Sequence, residues 1–221
     1  MSGSPMWRGV FFDLDGTLTD TVELILKSFR HTMETHLGEV LPDARWISTL
    51  GTPLVAQLRD FARDDREAEA MLQTYTAFQR GIHDEMVRSF PGAREVIEEL
   101  TARGTGVAVV TSKRGRVARR TMEVCGLWDR VDLVVTADDV ARGKPDPEPV
   151  LRALGALDLA GCAEDVVFVG DAPFDLQAGR AAGTRTAAVS WGPFARETLH
   201  AERPDYFLES LTDLLGIVPR S

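Results

Sequence analysis

Lysine is scarce in this sequence: of 25 basic residues only Lys27, Lys113 and Lys144 are lysines. Each compact, strongly hydrated point charge is therefore worth locating. Cysteine is scarcer still, with Cys125 and Cys162 alone and no C-x-x-C pair, which argues against a disulfide framework or a cysteine-rich metal site and fits a reducing cytoplasm. No stretch approaches 18 apolar residues, and acidic residues interrupt the first apolar run at Asp13. A transmembrane helix and a secretory signal are thus not expected. The histidines, His31, His36, His83 and His200, lack metal-ligand spacing and are read as structural or solvated. Trp7, Trp46, Trp128 and Trp191 are too scattered to form a stacking platform. Positive charge is in deficit, 25 basic against 34 acidic residues for a formal charge of −9. Such a surface repels phosphate backbones and anionic lipid, so neither a nucleic acid nor a membrane is an expected partner.

What remains is the balance of a soluble globular chain, 44% hydrophobic and 27% charged. At 221 residues it should bury roughly 70% of its unfolded surface, enough for one core and a small second unit. Short apolar runs bounded by turn residues predict buried strands at 10–12, 106–110, 133–136, 166–169 and 184–189. Helical spacing falls between them at 93–103, 117–125, 149–154 and 174–182. This alternation predicts an α/β fold, a doubly wound, mostly parallel Rossmann-like sheet with ligands at the carboxyl ends of its strands. Residues 18–88 break the alternation with helical patterning and no convincing strand, which predicts a helical cap inserted into a core made of 7–17 and 89–221. Its hinges would be Gly16-Thr17-Leu18 and Ser89-Phe90-Pro91-Gly92. Within the cap, Gly51-Thr52-Pro53-Leu54 reads as an N-cap threonine followed by proline at the first helical position. Residues 1–6 are small and polar, fit a leader with Met6 as a candidate start, and are set aside.

The chemistry lies after the strands. Asp13 and Asp15 stand two apart, so an extended chain puts both carboxylates on one side and sends Leu14 into the core. Two such carboxylates both stay ionised only beside a cation, for which a hard divalent metal is the natural partner. Thr111 and Ser112 follow the second strand, where hydroxyls suit either a phosphate or the cap of the next helix. Lys144 sits in Arg142-Gly143-Lys144-Pro145-Asp146-Pro147, a stiff loop that could hold a point charge in place or leave it solvated. Gly170 permits a sharp exit from the fourth strand; Asp171 then lands at the sheet edge, with Asp175 about one turn later near a helix N-terminus.

Taken in order, Asp13-Leu14-Asp15-Gly16-Thr17, Thr111, Gly143-Lys144-Pro145 and Gly170-Asp171 with Asp175 resemble the four motifs of the haloacid dehalogenase superfamily, over about residues 8–215. Thr111-Ser112-Lys113, Lys144-Pro145 and Ser190-Trp191-Gly192 are most similar to its phosphoglycolate phosphatase and related small-molecule phosphatase branch. The resemblance implies a phosphatase in which Asp13 attacks phosphorus to form an aspartyl-phosphate and Asp15 serves as acid and then base. It also implies Mg²⁺ held by Asp13, the Asp15 backbone carbonyl, Asp171 and Asp175. Thr111, the Ser112 amide and Lys144 would hold phosphoryl oxygens, with Gly16 and Thr17 alongside the substrate. Thr52 in the cap and Trp191 after the fifth strand would line the pocket. Ala172 stands where many relatives carry Ser or Thr, which should tune activity rather than abolish it.

The expected partner is a small phosphorylated metabolite, and the expected state a monomer or homodimer. Within the superfamily a dehalogenase needs no acid at Asp15, and a phosphonate hydrolase needs a cap lysine, of which Lys27 is the only one. A sugar phosphomutase, a pyrophosphatase or a nucleotidase would use the same core. A silent binding module would keep the fold without needing the four carboxylates.

Overall fold

The computed structural model describes residues 7–217; the leader assigned to residues 1–6 and the last four residues of the expected core lie outside them. Among the described residues there are eight strands: β1 (Gly9–Phe12), β2 (Thr19–Asp20), β3 (Arg88–Ser89), β4 (Gly106–Val110), β5 (Leu133–Val135), β6 (Val166–Gly170), β7 (Arg185–Val189) and β8 (Tyr206–Leu208). The described residues also form the α-helices α1 (Val22–Leu37), α2 (Asp43–Ile47), α3 (Leu54–Arg59), α4 (Asp65–Met86), α5 (Ala93–Ala102), α6 (Gly115–Val124), α7 (Glu148–Ala156), α8 (Pro173–Ala181) and α9 (Arg196–Ala201). Among the described residues no helix is long and apolar enough to cross a membrane.

Six strands form one parallel sheet in the order β5-β4-β1-β6-β7-β8, and Gly9 of β1 lies opposite Gly106 on one side and Val166 on the other. The central strands read GVFF, GVAVV and VVFVG and are covered on both faces, which is why their apolar runs are continuous. Alternation splits them between two layers. Val10, Phe12, Val107, Val109, Val167 and Val169 pack against Val96, Ile97 and Leu100 of α5 and Met122 of α6. Phe11, Ala108, Val110 and Phe168 face Val150, Ala153 and Leu154 of α7 and Ala178 of α8. From β1 the chain builds outward through β4 and β5, then crosses back to β6. The carboxyl edge around β1 is thus a topological switch point, where open α/β sheets bind ligands.

The five expected strands are all present, with ends shifted by a residue at most. β8 was not foreseen, being a three-residue edge strand. Nor were β2 and β3, a two-residue antiparallel ribbon pairing Thr19 with Ser89 and Asp20 with Arg88 at the two ends of the helical insert. Two residues are too few for a period to show.

Helices α1 to α4 enclose an apolar cluster of their own around Phe29, Met33, Trp46, Leu58, Met71 and Tyr75, in which the Phe29 and Trp46 rings stack at 4.3 Å. The Asp64 carboxylate accepts the Glu67 amide at 2.8 Å and starts α4; Gly38, at φ 73°, ends α1. The expected cap at Thr52 is corrected: α3 begins at Leu54 with Pro53 as the residue before it, and the Thr52 hydroxyl turns back to donate to the Thr49 carbonyl at 2.8 Å. The tight turn from Thr49 to Thr52 consumes the threonine, whose amide and hydroxyl both donate to the Thr49 carbonyl.

Candidate active site

The end of β1 is pinned to its neighbour, since the Asp13 amide donates to the Val169 carbonyl at 2.9 Å. Leu14 is buried as alternation requires, and Asp13 and Asp15 both line a cavity of about 530 Å³ between the sheet's carboxyl edge and the helical insert. Gly16 then turns the chain at φ 81°, a left-handed conformation that disfavours any side chain. A Cβ there would also strike the Asp171 carboxylate. Asp171 is further fixed by the Thr17 hydroxyl, which donates to its Oδ1 at 2.9 Å.

Gly192 closes the opposite flank of Asp171, where a Cβ would collide with the aspartate side chain. Gly192→Ala is therefore expected to displace Asp171 and to cost about 1–3 kcal/mol by overpacking. Urea denaturation with and without Mg²⁺ checks this. Unchanged stability together with unchanged metal response would show that the flank has room to spare.

Lys144 is the buried hub. Its Nζ lies 2.6 Å from Asp13 Oδ1 and 2.6 Å from Asp175 Oδ1, and its charge sits 5.7 Å from the centre of the Phe168 ring. The other oxygen of Asp175 accepts the Ala172 amide at 3.0 Å, so the first turn of α8 aims this carboxylate inward. Ala172 itself has no hydroxyl to return the bond.

Electrostatics follow from this burial. Desolvation pushes the Asp13 carboxyl up to about 7, with Lys144 opposing and Asp175 and Asp15 adding repulsion. Asp171 is raised well above the ordinary carboxylate range by burial and by the charges of Asp13 and Asp175. Burial works against the Lys144 charge too, yet attraction to Asp13 and Asp175 outweighs it and holds the ammonium protonated. Oxygens of Asp13, Asp171 and Asp175 lie within 4.8 Å of one another. With all three carboxylates ionised, one ammonium leaves two negative charges to be balanced. An all-oxygen donor set with that deficit fits a hard divalent cation.

Asp15 stands apart at the rim, paired with Lys113 Nζ at 2.7 Å and accepting a hydrogen bond from the Thr21 hydroxyl. Sequence reasoning noted Lys113 only as a rare lysine within a motif, and missed Thr21 entirely. Thr111 is buried and lines the cavity, its hydroxyl accepting the Lys113 amide at 3.2 Å. Ser112 also lines it, but its hydroxyl donates to the Gly51 carbonyl at 2.6 Å and so ties the insert to the core.

Three substrate-side expectations move. Trp191 does not line the cavity; its indole N–H donates to the Thr17 carbonyl at 3.2 Å and its ring packs toward Phe90, bracing the hinge. Gly16 and Thr17 do not line it either. The Gly16 amide donates to the Thr19 carbonyl at 2.8 Å, and Thr17 serves Asp171. The histidines take no part: His31 stacks on Phe78, His36 meets Thr74, His83 bridges Asp84 and Thr121, and His200 stacks on Phe207.

Comparison with known proteins places this arrangement. Residues 10–189 match the haloacid dehalogenase-like hydrolases. A protein of Caldanaerobacter subterraneus, provisionally named pyrophosphatase PpaX, is 40% identical over 209 residues, 95% of this chain and 93% of that one. Pyrophosphatase PpaX of Bacillus cereus strain B4264 is 37% identical over 209 residues, 95% of each chain. In fold, the chain is similar to the crystal structure of a predicted phosphoglycolate phosphatase from Haemophilus somnus, with a TM-score of 0.87 at 20% identity, covering 97% of this chain and 99% of the other.

Proposed function

This chain belongs to the haloacid dehalogenase-like hydrolases, and on that premise we propose that it is a magnesium-dependent phosphatase working through an aspartyl-phosphate. The observation that carries the reading is the buried Lys144 ammonium, 2.6 Å from both Asp13 and Asp175, beside Asp171 at a sheet switch point. Four strand ends converge there on one cavity, and structural packing alone has no use for so many mutually repelling acids.

The Asp13 carboxylate attacks phosphorus, forming an O–P bond as the ester P–O bond breaks. Asp15, at the rim with Lys113 and Thr21, protonates the departing oxygen. It then takes a proton from the water that cleaves the aspartyl-phosphate, regenerating Asp13 and releasing phosphate. Lys144 and Thr111 hold the phosphoryl oxygens, where preorganised charge counts most. Mg²⁺ would be held by Asp13, Asp171, Asp175 and the Asp15 carbonyl, and supplies the positive charge an anionic nucleophile needs to approach an anionic phosphate.

The test is phosphate release from p-nitrophenyl phosphate with Mg²⁺ or with EDTA. Turnover should fall at least about 100-fold on chelation and return on adding Mg²⁺, because the charge the metal supplies is a transition-state term of several kcal/mol. Equal rates in EDTA would refute metal dependence. Relatives named as pyrophosphatases supply a second reading, hydrolysis of pyrophosphate, and the motif resemblance a third, a phosphoglycolate-like acid.

A further inference from the structure

The site must also accept what the phosphoryl group is attached to, and the helical insert forms that side of the cavity. Among the described residues, none of those that residues 22–79 contribute to the lining is Lys, Arg or His. Basic residues of this segment lie elsewhere: Arg30 is tied to Glu23 and Asp43, Arg59 to Asp65, Arg63 to Glu67, and Lys27 is exposed. The insert presents apolar surface from residues such as Val22, Ile25 and Leu72, with neutral hydrogen-bonding groups from Gln57, Gln73, Tyr75 and Gln79. Its one acid in the lining is Glu69.

Two polar atoms of these residues are buried without a partner, the Trp46 Nε1 donor and the Gln57 Oε1 acceptor. Trp46 is fully buried and Gln57 is 5% exposed, while the other end of the Gln57 amide is fixed on the Thr52 carbonyl at 2.7 Å. Buried polar atoms are ordinarily satisfied, and this orphan donor and orphan acceptor belong to residues that line the cavity. On the core side the cations are already committed. Lys144 serves Asp13 and Asp175, Lys113 pairs with Asp15, and Arg114 is largely exposed at the rim facing Asp138.

We infer that the leaving group of this enzyme is an uncharged alcohol with both apolar surface and hydrogen-bonding groups, rather than a phosphate or a carboxylate. The inference rests on the phosphatase reading and narrows it. A second anion seated against the insert would lose its water against apolar side chains and Glu69, with no cation on that side of the cavity to balance it. A neutral alcohol would lose little beside the uncharged polar side chains of Gln57, Gln73 and Gln79.

The experiment compares kcat/KM for hydroxyethyl phosphate and phosphoglycolate, which differ only in a neutral alcohol or a carboxylate. Pyrophosphate and hydroxyphenylethyl phosphate are measured beside them, and p-nitrophenyl phosphate reports the core chemistry. Hydroxyphenylethyl phosphate should lead, and hydroxyethyl phosphate should exceed phosphoglycolate and pyrophosphate by about 10-fold or more, the scale of one mismatched polar contact. Gln57→Leu should raise KM for hydroxyphenylethyl phosphate about 10-fold with little change in kcat, whereas a merely structural Gln57 would lower kcat and thermal stability together. Phosphoglycolate or pyrophosphate matching the neutral esters, with p-nitrophenyl phosphate still turned over, overturns the inference and leaves the phosphatase reading standing. No release from any substrate overturns both.

Discussion

Replacing Lys144 by methionine is expected to cost about 3–5 kcal/mol of folding stability, the usual result of removing one partner from a buried ion pair. Methionine keeps most of the volume and the apolar stem, so the loss is electrostatic rather than a cavity effect. Asp13 and Asp175 would each lose a charged donor at 2.6 Å, and Asp171 would lose the nearest positive charge, with all three carboxylates still buried. In a protein of this size that corresponds to a fall in Tm of roughly 10 °C. Chemical denaturation in EDTA measures it most directly. Added Mg²⁺ should recover part of the deficit, because a ligand that binds only the folded state stabilises it. Turnover should fall about 10³-fold as well, since the charge on the transferring phosphoryl group loses its fixed counter-charge. Lys144→Arg should not rescue turnover, because a planar fork cannot take the place of a point donor between two carboxylates. A stability change below about 1 kcal/mol in EDTA would mean that the acids already share protons, and that Lys144 is not what holds them together.

Much of this centre was legible in the sequence for a simple reason. Asp13, Thr111 and Asp171 each follow an apolar strand directly, and parallel strands deliver whatever follows them to one edge. Lys144 and Asp175 come from the segments that leave that edge, and the lysine's rarity marked it. What failed were inferences about which way a turn residue faces. Trp191 sits in a loop after β7 beside the site, yet its indole reaches Thr17, and no local pattern encodes a contact across that distance in the chain. Gly16 and Thr17 lie next to Asp13 and Asp15 in sequence, but the turn spends the Gly16 amide on Thr19 and the Thr17 hydroxyl on Asp171. Thr52 lines the cavity as expected, but the helix cap it resembled does not form because a short turn claims its hydroxyl. The partners of Asp15, Lys113 and Thr21, come from the loop after the neighbouring strand β4 and from the residue after β2. Their convergence is a product of the tertiary fold. The same holds for the neutral wall of the cavity, which draws on α1 to α4 with no motif to announce it.

Asp13→Asn should separate chemistry from folding in the opposite sense to Lys144→Met. Asparagine is nearly isosteric and can still accept from Lys144 through its Oδ1, so the hydrogen bond at this position survives. Its amide oxygen cannot form an acyl-phosphate, and turnover should fall by about 10⁴-fold or more, the scale seen when a covalent nucleophile is removed. Stability should stay level or rise by about 1 kcal/mol, because one member of a mutually repelling buried set has been neutralised. The sign follows from the site itself: Asp13 is a carboxyl whose burial and acidic neighbours already push it up to about 7, so ionising it there is costly. Activity and thermal unfolding measured on one preparation decide the matter, with acid-quenched enzyme from a radiolabelled substrate as the direct check for a phosphorylated wild type and an unlabelled variant. A variant that retains wild-type turnover would remove Asp13 from the mechanism. One that is inactive because it no longer folds would show that the carboxylate charge, unfavourable among its neighbours, is nonetheless what Lys144 requires in order to be buried.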